Sequence, residues 1–176
     1  MKKIIAFAGS NSKTSINKQL VTYAAVLCKS AEVEVLDLNH FELPLFSVDV
    51  EKEREAPKNV FAFLEYLKLA DGFIVSMAEH NGAYSAVFKN ILDWVSRTEP
   101  KLFFGKPMLL MATSPGGRGG KSVLEIARNR FPRHDANIVA IFSLPSFNDN
   151  FKNGKIVDKS LNTELFEAIN KFENEI

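Results

Sequence analysis

Short runs dominated by apolar residues alternate along this chain with longer stretches of helical periodicity. Ile4–Ala8, Val33–Leu38, Gly72–Ser76, Met108–Ala112 and Asn137–Phe142 are brief enough, and apolar enough, to predict five buried strands. Between them the apolar positions recur with the spacing of one helix face. The sets are Leu20, Tyr23, Ala24, Leu27 and Cys28; Val60, Leu64 and Leu67; Val87, Ile91, Trp94 and Val95; Val123, Leu124, Ile126, Ala127 and Phe131; and Leu161, Leu165, Ile169 and Phe172. No repeat, low-complexity tract or linker interrupts the alternation, so residues 1–176 are expected to form one domain. Strands that alternate with helices predict an α/β architecture: a doubly wound, five-stranded parallel sheet with helices on both faces and right-handed crossovers. The order 2-1-3-4-5 suits five strands and places the first, third and fourth side by side.

Those three strands run into the three unusual turns of the chain. The first is Ser10-Asn11-Ser12-Lys13-Thr14-Ser15-Ile16-Asn17, rich in hydroxyls and amides, with one cation. A turn between a strand and a helix N-terminus offers unpaired N–H groups and a positive dipole end, so it is read as a seat for a phosphate monoester. It is not a P-loop, lacking Gly-Lys-Ser/Thr, nor a dinucleotide fingerprint, having Gly9 alone. The blander alternative is that Ser15 merely caps the helix. The second turn carries Ala78, Glu79, His80, Asn81 and Gly82; the third is Thr113-Ser114-Pro115-Gly116-Gly117-Arg118-Gly119-Gly120. Glycines remove side chains, so a flat ligand can lie against bare backbone there. A phosphate seat at one end of a cleft and a planar polar shelf at the other describe FMN.

Charge narrows the field. A net charge of +1 gives no reason to expect nucleic acid or an anionic membrane as partner. No apolar run is long enough to span a bilayer, and Met1-Lys2-Lys3 with its short apolar sequel is expected to be a strand and not a leader. The single cysteine, Cys28, falls on the first helix stripe and is expected in the core, which suits a reducing cytoplasm. The three histidines, His40, His80 and His134, lack metal-ligand spacing, and His134 is expected on an exposed loop.

On these motifs the chain resembles the NADPH-dependent FMN reductase family, flavodoxin-like proteins that include chromate-, quinone- and azo-reducing flavoenzymes. Gly9, Ser10, Ser15 and Asn17 match its first motif. Glu79, Asn81, Gly82, Tyr84, Lys89, Asn90, Asp93 and Trp94 match its second, and Ser114, Gly116, Gly117, Gly119 and Gly120 its glycine-rich loop. Ser12 stands where that family has arginine, Ala78 where it has proline, His80 where it has tyrosine, and Ser85-Ala86 where it has Pro-Gly. The resemblance implies FMN bound by Ser10, Ser12, Lys13, Ser15, Ile16, Asn17, Ala78, Glu79, His80, Asn81, Gly82, Ser114, Gly117, Arg118 and Gly119. It further implies NADPH or NADH as electron donor and a quinone, azo compound or metal ion as acceptor. Arg118 has three open roles: stabilising the reduced ring, holding the 2′-phosphate of NADPH, or solvated. No residue is assigned a catalytic role with certainty. The rival readings are a flavodoxin-type electron carrier and a non-catalytic flavin-binding sensor.

Assembly is read from surplus apolar surface. Tyr84, Phe88 and Leu92 widen the third helix beyond one stripe, and Leu43, Leu45 and Phe46 sit in the long connection Asn39–Pro57 without an element of their own. Together they predict a homodimer or homotetramer. The alternative is that the connection folds back and hides them within one subunit.

Overall fold

The computed structural model describes residues Met1–Ile176. Strand β1 (Lys3–Gly9) leads into helix α1 (Ile16–Leu27) and strand β2 (Glu32–Leu36). The long connection then makes a single 3-10 turn (Leu38–His40) and a short helix α2 (Val48–Glu53), before helix α3 (Lys58–Leu69) and strand β3 (Gly72–Met77). A small hairpin, β4 (Glu79–His80) and β5 (Ala83–Tyr84), precedes helix α4 (Ala86–Thr98), strand β6 (Pro107–Thr113), helix α5 (Lys121–Arg130) and strand β7 (Asn137–Leu144). The chain ends in a turn of helix α6 (Phe147–Asn150), a second hairpin β8 (Phe151–Lys152) and β9 (Lys155–Ile156), and helix α7 (Lys159–Glu173).

The five long strands form one sheet in the order β2-β1-β3-β6-β7, every pair parallel, as the alternation of elements requires. Its central strands are buried on both faces, which is why they lack polar alternation. Leu20, Val21 and Ala24 of α1 pack with Leu165, Ile169 and Phe172 of α7 on one face; α3, α4 and α5 cover the other. Register aligns Gly9 with Met77 and Met77 with Ala112, so the three turns leave the sheet at one level of its carboxyl edge.

The second apolar side of α4 is covered from within the subunit. Phe88 and Leu92 are buried, with Phe88 against Phe7 (6.3 Å between centroids), Tyr84 (5.3 Å) and Phe131 (5.8 Å). Tyr84 itself stands in β5, stacked on Phe131 at 6.0 Å, and is not part of the helix. Leu43 and Phe46 pack against the same core, leaving only Leu45 of the three well exposed, at 80%. The fold-back alternative thus accounts for most of the surplus. Two α4 side chains hold the connection down. Asn90 accepts from the Phe46 N–H (2.8 Å) and donates to the Pro44 carbonyl (3.1 Å), to which Trp94 Nε1 also donates (2.7 Å). Ser47 caps α2, and Glu51 accepts from Arg97 Nε at 2.7 Å.

His134 is buried, contrary to the exposed loop expected of its polar neighbours. Its Nε2 accepts from Arg130 Nε at 3.1 Å, and its Nδ1 lies 2.9 Å from the Pro100 carbonyl. Cys28 is buried as expected, and burial pushes its thiol up to about 11.

Candidate functional site

The first turn folds around its own hydroxyls. Ser15 is the N-cap of α1, its Oγ accepting from the Lys18 N–H at 3.1 Å. Ser10 Oγ accepts from the Ser12 N–H (3.2 Å) and Ser12 Oγ from the Thr14 N–H (3.3 Å). These bonds curl the backbone and leave the N–H groups of Asn11, Lys13, Ile16 and Asn17 without a protein partner. Four such donors at the start of a twelve-residue helix are what a phosphate dianion needs. The cap reading of Ser15 and the phosphate-seat reading of the turn are therefore compatible.

Asn17 has a different position from the one its motif suggests. It is buried, and its Oδ1 accepts from Ser76 Oγ (2.8 Å) and from the Thr113 N–H (3.0 Å), while its Nδ2 donates to the Thr113 carbonyl (3.1 Å). One side chain thus ties the first turn of α1 to the ends of β3 and β6 and forms the floor of the cleft. It offers the cleft its backbone N–H. Ser85 makes a matching tie, capping α4 while its hydroxyl donates to the Gly9 carbonyl at 2.7 Å.

In the second turn, Asn81 (φ 52°) and Gly82 (φ 75°) are both left-handed, the backbone of a two-residue hairpin that Asn-Gly adopts readily. The hairpin carries Glu79 across to the third turn, where Glu79 Oε2 accepts from the Val123 N–H at 3.0 Å. Helix α5 begins at Gly120, which has no side chain to cap it, so Glu79 supplies the missing cap and a negative charge at the positive helix end. His80 is exposed beside it.

The glycine-rich turn divides in two. A Cβ at Gly116 or Gly117 would meet nothing within 4 Å, so this part is an open backbone shelf. At Gly119 (φ +59°) a Cβ would lie 2.4 Å from Ser143 Oγ and 2.9 Å from the Pro145 nitrogen. At Gly120 (φ +76°) it would lie 2.8 Å from Ala112 Cβ. Those two glycines are required by close approach, and they anchor the shelf. Ser114 Oγ bonds the Gly116 carbonyl at 3.2 Å.

Ser10, Ser12, Ser15, Ile16, Asn17, Ala78, Glu79, His80 and Ser114 come together around a cavity of about 250 Å³. Thr14, Thr113 and Pro115 complete its lining; Thr113, expected to open the third turn, is the last residue of β6. Asn81 and Gly82 shape the hairpin without lining that cavity. Two expected ligands are elsewhere. Lys13 lines the neighbouring cleft on the outer side of α1, so in this structure its side chain does not face the cavity of Ser10 and Asn17. Arg118 is exposed, donates through Nη2 to Ser122 Oγ at 3.1 Å, and does not line the cavity. Gly117 and Gly119 contribute backbone only.

The cradle fits FMN: unpartnered N–H groups and hydroxyls for the phosphate, and a shelf without side chains beyond Ser114 for the ring. Residues 2–149 match the family described as NADPH-dependent FMN reductase. The chain is 32% identical over 119 residues to a quinone reductase of Escherichia coli strain K12, across 67% of this chain and 63% of that protein. It is 34% identical over 124 residues to an NADPH:quinone oxidoreductase of Arabidopsis thaliana, across 68% and 62%. The matched stretch thus spans less than two-thirds of the length of these relatives. In overall fold the chain resembles a flavoenzyme NAD(P)H:(acceptor) oxidoreductase of Paracoccus denitrificans, with a TM-score of 0.79 at 22% identity over 99% of this chain and 97% of that one. With 148 of its residues matched, the chain belongs to the NADPH-dependent FMN reductase family.

Proposed function

We propose that this chain is an FMN-dependent NAD(P)H oxidoreductase, a single FMN-binding domain that passes reducing equivalents to quinone- or azo-type acceptors. The observation that carries the reading is the hydroxyl-lined turn with four unpartnered N–H groups, bordering a cavity where three strand-end turns converge, with the open glycine backbone following Ser114 and Pro115. Bound FMN supplies the redox chemistry, accepting hydride from the nicotinamide and releasing two electrons to the acceptor. The protein's part is to bind and orient. The N–H groups of Asn11, Lys13, Ile16 and Asn17 with the hydroxyls of Ser10, Ser12 and Thr14 hold the phosphate, and the α1 dipole favours its charge. The side-chain-free backbone at Gly116 and Gly117 would offer fixed N–H donors to a ring laid against it, and donors of that kind stabilise negative charge on a reduced ring without reorganising. His80, exposed at the rim, borders the opening through which donor and acceptor enter in turn.

Anaerobic mixing of the FMN-loaded protein with NADPH or NADH, followed by a quinone, tests this. Bleaching of the flavin absorbance by the nucleotide and its recovery on adding the quinone are expected. Flavin that binds tightly and is reduced by neither nucleotide would replace the enzyme reading with an electron carrier or a flavin sensor. A homodimer, working in the cytoplasm, completes the proposal. Its support is Leu45, exposed on the rim of a groove of about 420 Å³ lined also by Leu43 and Val87. A monomeric mass by light scattering at micromolar concentration would remove the dimer.

A further inference from the structure

A second cleft, larger than the phosphate cavity, opens on the other side of the same turn. It lies between α1 and the β8–β9 hairpin and measures about 620 Å³. Three lysines, Lys13, Lys18 and Lys155, line it and no carboxylate does. Lys18 is committed to an ion pair with Asp37. Lys13 and Lys155 are exposed and have neither an ion-pair nor a hydrogen-bond partner, which leaves two uncommitted cations at the mouth. The floor is apolar and fixed. Phe151 is buried, edge-on to Tyr23 (5.8 Å) and stacked on Phe147 (4.8 Å), while the Tyr23 hydroxyl donates to Asn162 Oδ1 at 2.8 Å. Thr14 and Ser15 line both this cleft and the phosphate cavity, so the two are neighbours across one turn of backbone.

We propose that this cleft holds the 2′-phosphoadenosine end of NADPH, with Lys13 and Lys155 as the cations that meet the 2′-phosphate. The inference rests on the reductase reading, because it gives that reading's electron donor a place. An aromatic floor suits a purine, which gains from stacked or edge contacts with Tyr23 and Phe151. Two cations without a carboxylate suit a phosphate dianion and discriminate against the 2′-hydroxyl of NADH. The neighbouring position matters as well. The cleft adjoins the phosphate end of the first cavity through Thr14 and Ser15, so a dinucleotide extended along that turn would run from this cleft toward the glycine shelf. Arg118, the other candidate for the 2′-phosphate, is tied to Ser122 and lines neither cavity.

The test is titration calorimetry of the protein as purified, with adenosine 2′,5′-bisphosphate and with adenosine 5′-monophosphate, on the native chain and on Lys13→Ala, Lys155→Ala and the double variant. The native protein is expected to bind the bisphosphate more tightly than the monophosphate. Each substitution is expected to reduce bisphosphate affinity about tenfold, as loss of one charge-assisted hydrogen bond does, and to leave monophosphate binding unchanged. In Lys155→Ala, KM for NADPH should rise by the same factor while KM for NADH stays fixed. Both lysines are exposed and unpartnered, so unchanged melting temperatures are expected to accompany the loss. Equal binding of the two nucleotides to native protein, or a preference that survives the double substitution, overturns the site. Lysine-dependent bisphosphate binding without any nucleotide oxidation would sustain the site and remove the reductase reading. Turnover of NADPH with lysine-independent bisphosphate binding would do the reverse.

Discussion

Replacing Asn17 by alanine separates a ligand from a structural tie. The side chain makes three hydrogen bonds, to Ser76 and to both backbone groups of Thr113, all in buried surroundings. Truncation leaves the buried Thr113 N–H and Ser76 hydroxyl without their acceptor. An orphaned buried polar group costs about 1–3 kcal/mol, so the loss is about 2–6 kcal/mol from the two together. Set against a domain stability of about 5–15 kcal/mol, that is a large share. For a chain of this length, about 3–4 kcal/mol corresponds to a melting temperature lower by about 10 °C. The measurement is urea and thermal unfolding of FMN-free protein, native and Asn17→Ala, followed by flavin titration of both. A double-mutant cycle with Ser76→Ala should show a coupling of about 1 kcal/mol, since the two share a bond. If the FMN-free variant unfolds at the native midpoint and only flavin affinity falls, Asn17 serves the phosphate and the tie is wrong.

Gly119→Ala should weaken FMN binding and destabilise the fold by about 1–3 kcal/mol, because its Cβ has no room and its backbone is left-handed; Gly117→Ala at the open shelf is the control expected to fold normally, compared by unfolding midpoints. Tyr84→Phe should leave stability unchanged or raise it by up to about 1 kcal/mol in the same unfolding assay, since the Tyr84 hydroxyl is buried without a partner and burial pushes its ionisation up to about 12. Asp37 is held down to about 2 by its hydrogen bond from Lys18, with the Asn39 N–H adding to it. A depressed carboxyl contributes stability above its unfolded value of about 4 and loses it as pH falls toward about 2. With both partners partly exposed the contribution is about 1 kcal/mol, and Asp37→Asn should flatten that part of the stability-versus-pH curve.

The sheet was legible because its strands are short, apolar runs that can only be buried on both faces, and because parallel order follows from the helices between them. The cleft was legible for the same reason: strand order alone puts Ser10, Glu79 and Ser114 at one edge. What the chain hid are contacts between distant residues. His134 sits among polar neighbours, yet Arg130 and the Pro100 carbonyl satisfy both ring nitrogens and let it be buried. The apolar back of α4 looked unpartnered because Phe131, which covers Phe88, lies 43 residues further on, past a strand and a helix. Asn17 and Glu79 carry motif chemistry in their side chains, and nothing local indicates that one is tied to β3 and β6 and the other caps α5. The two hairpins had a local signal, Asn-Gly at 81–82 and 153–154, which two-residue strands were too short to reinforce.

The Glu79 cap also governs how the cleft can change with its cargo. The hairpin bearing His80 and the helix that follows the glycine shelf meet at one carboxylate, so prising the hairpin outward to admit a bulkier acceptor unpins the first turn of α5 in the same movement. Widening therefore carries a thermodynamic penalty that narrowing does not. Variants selected for bulkier ligands should gain room by shortening the exposed His80 before they gain it at Glu79.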